Sequence, residues 1–479
     1  MKGKKLFQLL SSLSKEEFKL VAKALKSPLW NTNDRIIKVY EQIKPHYPAF
    51  DLTEKHYHRI YTSTFDQSSY DDYKFRRLLS DLTKIVERFL IQLEVDHDPR
   101  ESNRLLLKAL GRRNVYNHFE KGTLQEIQAV ESGAYQDMEY YQSLIGLHYD
   151  LYFHPLTNRH SKNDDHLAAL INAIDSTYVL AKLRVGSELK NREKMLNTQY
   201  ENKLELAILG EFGHTLQGQN PVYQMYKLVY QLFAPPKETE AFAQLKCLFT
   251  KDIQALRQVD QFFILHHLIN FAARQINAGK ADFYQEALDL YKTGLAQDLL
   301  LENNKIREAT YGNIILLGCQ AKEFAWVDEF IGTYSAFLDP EIREDAKSHA
   351  LGLRYFYQKE FPKSVDQLLH YKFSPAYQPR VRIIIIRSLF EQFLKDHSIF
   401  SLLQAQCDAF EKYISRNDFL AKPRLEPHLN TIRLIRKLAQ LLFEKEEKET
   451  IQKWLNQELV SRKKFLSQTW LKEKAKNLR

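Results

Sequence analysis

The sequence predicts an all-α fold in which helical hairpins stack behind an N-terminal helical module. Three observations carry that expectation. The 479 residues include only 15 Gly and 14 Pro, well under the average usage of roughly 7% and 5%, which suits helices joined by short connections. Apolar residues recur at helical spacing through most of the chain. Alternating runs bounded by Asn-Gly or Asp-Gly, the mark of paired strands, do not occur in it.

Residues 1–98 form the expected module. Ser14-Lys15-Glu16-Glu17 is a capping box, in which the serine hydroxyl and the Glu17 carboxylate satisfy N–H groups left bare at a helix start. Phe18, Val21, Ala22 and Leu25 give that helix its apolar stripe. Pro28 and Asn31-Thr32-Asn33 end it and cap a second, carrying Ile36, Ile37, Tyr40 and Ile43, until Pro45 and Pro48 break the chain. Thr53 and Glu54 open a third, with Tyr57, Ile60 and Tyr61 on its apolar side. Beyond Asp66 to Asp72 a long amphipathic helix places Phe75, Leu78, Leu79, Leu82, Ile85, Val86, Phe89, Leu90 and Leu93 on one side.

Residues 99–479 read as a degenerate helical-repeat array, clearest over 258–375 and closed by capping helices over 426–479. Breaks fall near Gly133, His154 to Asp164, Gly213 to Pro221, Pro235-Pro236, Gly279-Lys280, Asn303-Asn304, Asp339-Pro340, Pro375 to Pro379, Asn417-Asp418 and Pro423 to Pro427. Residues 154–165, rich in Asn, His, Ser, Lys and Asp, read as a loop. The block Ile383 to Ile386, flanked by arginines, reads as a buried helix segment.

Within the array, Leu351-Gly352, Tyr355, Phe361, Ser364 and Leu368 look like a tetratricopeptide repeat. Tyr284, Ala287 and Tyr291 reproduce its second-helix half, and Phe324, Val327 and Ile331 make a weaker copy. The aromatics after each turn, Tyr284, Phe324 and Phe361, are 40 and 37 residues apart, against the family's period of about 34. Gly318 stands where the middle unit should carry its first-helix aromatic. The resemblance implies a right-handed solenoid of antiparallel helix pairs, in which small residues let two helices approach and aromatics fill the grooves beside them. The string from Ser12 to Glu41, Leu79-Ser80-Asp81-Leu82 and the tail around Trp470-Leu471 are also similar to a family of uncharacterised bacterial helical-repeat proteins.

Chemistry is hard to find along the chain. It has no Gly-x-Gly-x-x-Gly, no Gly-x-Ser-x-Gly and no His-Glu-x-x-His. Gly213 and Gly218 have the spacing of a phosphate loop, but Gln219 follows where its lysine must be. His160, Asp164, Asp165 and His166 could offer metal ligands, although a solvated loop collects the same residues. Of His266-His267, one is expected to face the core with a hydrogen bond and the other to face solvent. Cys247, Cys319 and Cys407 are too far apart for a disulfide framework or zinc knuckle, and each is expected as a small buried hydrophobe. The sequence therefore predicts a non-enzyme, with no cofactor and no metal.

Compartment follows from the ends and the apolar runs. The N-terminal apolar stretch spans only Leu6 to Leu10, too short for a secretory signal, and no run approaches the roughly 20 residues of a membrane span. A cytoplasmic protein without a membrane partner is expected.

Charge suggests partners. The chain carries a net +9, and residues 420–479 hold fifteen Lys and Arg against seven Glu. In a stacked-hairpin array the first helices line the concave face. The helix bearing Arg380, Arg382 and Arg387 would then present guanidinium groups beside His349 and Tyr357, a surface for a protein partner or acidic peptide. Ordinary pairing with neighbouring Asp or Glu is the alternative use of those arginines. The expected function is a scaffold or adaptor. The alternative is a nucleic-acid-binding regulator, with a helix-turn-helix-like N-terminal module whose Lys55, His58 and Arg59 contact phosphates or bases. Residues 1–98 hold seventeen Lys and Arg against fourteen Asp and Glu, a weakly basic balance for that role.

Overall fold

The computed structural model describes residues 4–66, 69–157, 165–196, 198–200, 220–375, 377–416, 422–460 and 465–477. Among the described residues, 22 α-helices and one two-stranded hairpin make the chain all-α. The expected loop ligands His160 and Asp164, and the Gly213 to Gln219 stretch, lie outside them. The chain divides into two compact units, residues 1–132 with 143–171, and residues 133–142 with 172–479.

In the first unit, α1 (Lys4–Ser12), α2 (Lys15–Lys26), α3 (Asp34–Ile43), α4 (Glu54–Phe65) and α5 (Asp72–His97) share one core. The capping box is present: Ser14 Oγ accepts from Glu17 N at 3.2 Å, and Glu17 Oε2 from Ser14 N at 2.7 Å. Those bonds hold the Glu17 carboxyl below its ordinary pKa. All the expected apolar positions of α5 are buried or packed against this core. Two tyrosines sew it to the backbone, Tyr40 donating to Phe18 O and Tyr47 to Leu13 O, each at 2.7 Å. Burying a tyrosine body is favourable when its hydroxyl finds a carbonyl. Next come α6 (Pro99–Arg112) and α7 (Tyr116–Glu131), which pack together, then α8 (Met138–Tyr152) and α9 (His166–Leu196).

The second unit continues with α10 (Pro221–Gln231), α11 (Glu238–Asp252), α12 (Gln258–Asn277), α13 (Phe283–Ala296), α14 (Glu308–Gln320), α15 (Phe324–Tyr334), α16 (Arg343–Tyr357), α17 (Phe361–Leu369), α18 (Gln378–Phe393), α19 (Phe400–Arg416), α20 (Lys422–Phe443), α21 (Lys448–Val460) and α22 (Gln468–Asn477). Neighbours in sequence pair as α10–α11, α12–α13, α14–α15 and α16–α17. Across pairs, α10 packs on α12, α14 on α16, and α16 on α18. Ion pairs clip one pair to the next: Lys246 on α11 to Glu286 on α13 at 2.6 Å, Lys292 on α13 to Glu323 before α15, and Arg354 on α16 to Asp328 on α15. One hydrophobic core runs from Val179 to Ala475.

Three turns share one construction. Gly279, Lys322 and Lys359 take left-handed backbone, with φ of 90°, 63° and 65°. The following N–H then reaches back to the last turn of the helix: Lys280 to Gln275 O, Glu323 to Gly318 O and Glu360 to Tyr355 O. This C-terminal motif satisfies helix carbonyls that would otherwise end bare. Close approach follows inside the pairs. Ser364, fully buried, donates to Gly352 O at 2.8 Å and accepts from Ser388 Oγ at 3.2 Å, tying α16, α17 and α18 at one point.

Some expectations fail. Asn303-Asn304 is the tip of a hairpin between β1 (Leu301–Glu302) and β2 (Lys305–Ile306), with φ of 51° and 58°. Two left-handed residues in succession make the primed turn that strand twist favours, and asparagine tolerates that backbone best after glycine. Cys247 is exposed, whereas Cys319 and Cys407 are buried and burial pushes both thiols up to about 12. His266 is exposed and meets Asn270 Nδ2 at 2.9 Å. His267 is 1% exposed, yet neither ring nitrogen is hydrogen-bonded. Glu188 Oε2 stands 3.4 Å from its Nε2 without bonding geometry. Aromatic edges surround the ring instead, Phe263 at 4.6 Å and Phe233 at 5.8 Å.

Candidate partner-binding surface

The expected site residues lie on α16 and α18, which pack against each other. The four isoleucines Ile383 to Ile386 are all buried, and so are the polar Arg387 and Ser388, so α18 is covered on most of its circumference. The structure sorts the five residues into three settings.

Arg380 and His349 belong together. Arg380, exposed on the first turn of α18, pairs with Glu308 on α14 and lies over the Tyr377 ring at 5.4 Å. His349 meets the same ring edge-on at 5.9 Å. Burial, and then the Arg380 charge, bring the His349 imidazole down to about 4, against the opposing pull of Glu308. It is therefore neutral at physiological pH, and the cationic character at this end belongs to Arg380.

Arg382 stands apart. It is half-buried, donates from Nε to Gln378 Oε1 at 3.1 Å and lies 5.0 Å from the centre of the Tyr413 ring on α19. Burial lowers its pKa, opposed by Tyr413.

Arg387 and Tyr357 make the third setting. Arg387 is 5% exposed, its guanidinium between the rings of Phe356 at 4.2 Å and Trp470 at 4.9 Å. Tyr357 hydrogen-bonds that guanidinium and accepts from Gln320 Nε2 at 2.9 Å. Nε of Arg387 has no partner. One turn on, Glu391 accepts from Trp470 Nε1 at 2.6 Å and from Lys474 Nζ at 2.7 Å. Glu308, Tyr377, Glu391, Trp470 and Lys474 had no local signal as site residues, because each acts through a neighbour distant in sequence. Only the spacing of Trp470 and Lys474, one helical turn apart, could have pointed to a shared face.

In the first unit, Lys55, His58 and Arg59 are all exposed on α4. His58 stacks on Tyr70 at 4.0 Å.

Two further features hold polar groups together. Asp260, 3% exposed, accepts from Tyr226 Oη and from Arg184 Nη1, while Arg184 also reaches Tyr226 Oη at 3.1 Å. Burial raises the Asp260 pKa even so, with Tyr226 and Arg184 pulling the other way. These bonds join α9, α10 and α12. An open groove of about 460 Å³ lies beside the small hairpin, lined by Asp298, Leu301, Asn303, Asn304, Tyr334 and Phe337. Among the described residues no three His, Cys, Asp or Glu stand together as metal ligands, and no helix is long and apolar enough to cross a membrane. No family model, no curated protein and no solved structure matches the chain.

Proposed function

We propose that the protein is a non-enzymatic scaffold or adaptor of the cytoplasm. In this reading the second unit is a tetratricopeptide-like right-handed solenoid, and the face made by α16 and α18 holds an acidic segment of a partner protein. The serial pairing of helices and the packing of α14 on α16 and α16 on α18 support the architecture.

The observation that carries the function is the posture of Arg380, its guanidinium laid over the Tyr377 ring at the start of α18, with Arg382, on another side of the helix, held in the same way over Tyr413. A planar fork already held on an aromatic face loses less freedom on taking a carboxylate than a free side chain would. The Arg380–Glu308 pair is 58% and 34% exposed. Such pairs contribute about 0 to 1 kcal/mol, so a partner's carboxylate can exchange with Glu308 at little cost.

A fluorescein-labelled octaglutamate peptide, titrated by anisotropy, tests the reading. Arg380→Glu with Arg382→Glu should weaken binding at least tenfold. Equal affinity in the two proteins would remove the assignment. The nucleic-acid alternative draws only on the exposed Lys55, His58 and Arg59 of α4.

A further inference from the structure

We infer that α22 is an internal latch, seated on the Arg387 end of the α16–α18 face, which an acidic partner segment displaces. The inference rests on the partner-binding reading above and adds its regulation.

The seat is small and mixed. From α22, Trp470, Leu471 and Ala475 are buried, at 8%, 1% and 5% exposure, and Lys474 reaches the Glu391 carboxylate. Trp470 meets Phe390 edge-on at 5.7 Å and covers Arg387. A helix of ten residues does not hold its shape alone in water, so α22 is ordered by this contact together with its packing on α21, where Gln452 Nε2 donates to Ala475 O at 3.3 Å.

The latch is also an imperfect ligand. Trp470 offers Arg387 a ring face but no acceptor, and Nε of that guanidinium, nine-tenths buried, remains bare. A carboxylate in the place of the indole would supply what the indole lacks, through a two-pronged contact. Arg380 and Arg387 are seven residues, or two turns, apart on one side of α18. With α22 lifted, they make two basic points about 10 Å apart, with the buried Ile383 and Ile384 between them. With it seated, only the Arg380 end is open.

The same octaglutamate probe decides the matter. Two variants release the latch: Trp470→Ala with Lys474→Gln, and a chain ending at Val460. Each should bind at least tenfold more tightly than the full chain. Arg387→Ala should cancel the gain in the released proteins and change little in the full chain. The truncation removes seven Lys and Arg with one Glu, so simple charge attraction would shift affinity the opposite way. Unchanged helicity by circular dichroism accompanies each measurement, and the point variants carry the test if the truncated chain does not fold. Equal affinity in latched and released proteins, both still sensitive to Arg380, overturns the latch and leaves the partner reading standing. Binding by none of them overturns both.

Discussion

Gly352 on α16 lies against Leu368 on α17 with no space for a side chain between them. A Cβ at residue 352 would stand 2.5 Å from Leu368 Cγ and 2.9 Å from its Cδ1, and Leu368 is 2% exposed and cannot swing aside. Gly352→Ala should therefore destabilise the protein by about 1–3 kcal/mol through overpacking, although alanine alone would favour the helix by roughly 1 kcal/mol. Pairing it with Leu368→Ala should recover part of the loss beyond additivity. Thermal unfolding checks this, and a single variant melting at or above the parent temperature would refute the close approach.

That contact was legible because Gly352 sits in a pattern of side chains, Leu351, Tyr355, Phe361 and Leu368, each with a packing role the sequence exposes. The middle pair was less so. There Gly318 replaces the aromatic, and a Cβ on it would lie 2.5 Å from Val327 Cγ2, so the tight contact moves toward the turn. The same holds for the candidate site. Arg380, Arg382 and Arg387 could be named from the helix they share, but whether each is open or covered depends on Glu308, Tyr413 and Trp470, brought in from 31 to 83 residues away. No periodicity reports such contacts. The hairpin at Asn303-Asn304 was hidden because its strands are two residues each, too short for alternation to show.

The turns at Lys322 and Lys359 were read as turns only from the aromatics that follow them. Both lysines adopt a backbone that glycine takes at no steric cost. Lys322→Gly and Lys359→Gly should each stabilise the protein by about 0.5–1 kcal/mol. Gly279→Ala, at φ of 90°, should lower stability by a similar amount. Melting temperatures test all three, and a lower value for either lysine variant would show that its side chain matters more than its backbone.

Acid should unfold the second unit earlier than its salt bridges alone would require. Burial, with His266 and Arg274 adding to it, depresses the His267 pKa from 6.5 to about 3. The folded state holds the ring neutral while the unfolded chain takes up a proton below 6.5. The stabilising effect is thus complete above pH 6.5 and is lost as pH falls toward about 3, at up to about 1.4 kcal/mol per pH unit. His349, depressed to about 4 by burial and Arg380, acts in the same direction over a shorter range. His267→Phe should flatten the dependence of the melting temperature between pH 7.5 and 4.5. A variant as acid-sensitive as the parent would place the effect elsewhere.

The N-terminal unit offers the clearest separation of partner from nucleic acid. Lys55, His58 and Arg59 are exposed on α4, yet the module around them has only a small excess of positive charge, and phosphate contacts dominate nucleic-acid affinity. A scaffold should show no appreciable binding to a random-sequence DNA duplex or RNA hairpin near physiological salt. Any binding at low salt should fall steeply as salt is raised. Lys55→Glu with Arg59→Glu should leave binding of the acidic probe unchanged, because that probe is assigned to α16 and α18. Salt-resistant DNA binding that this pair of substitutions abolishes would instead make α4 a recognition helix and reduce the arginines of α18 to structural partners.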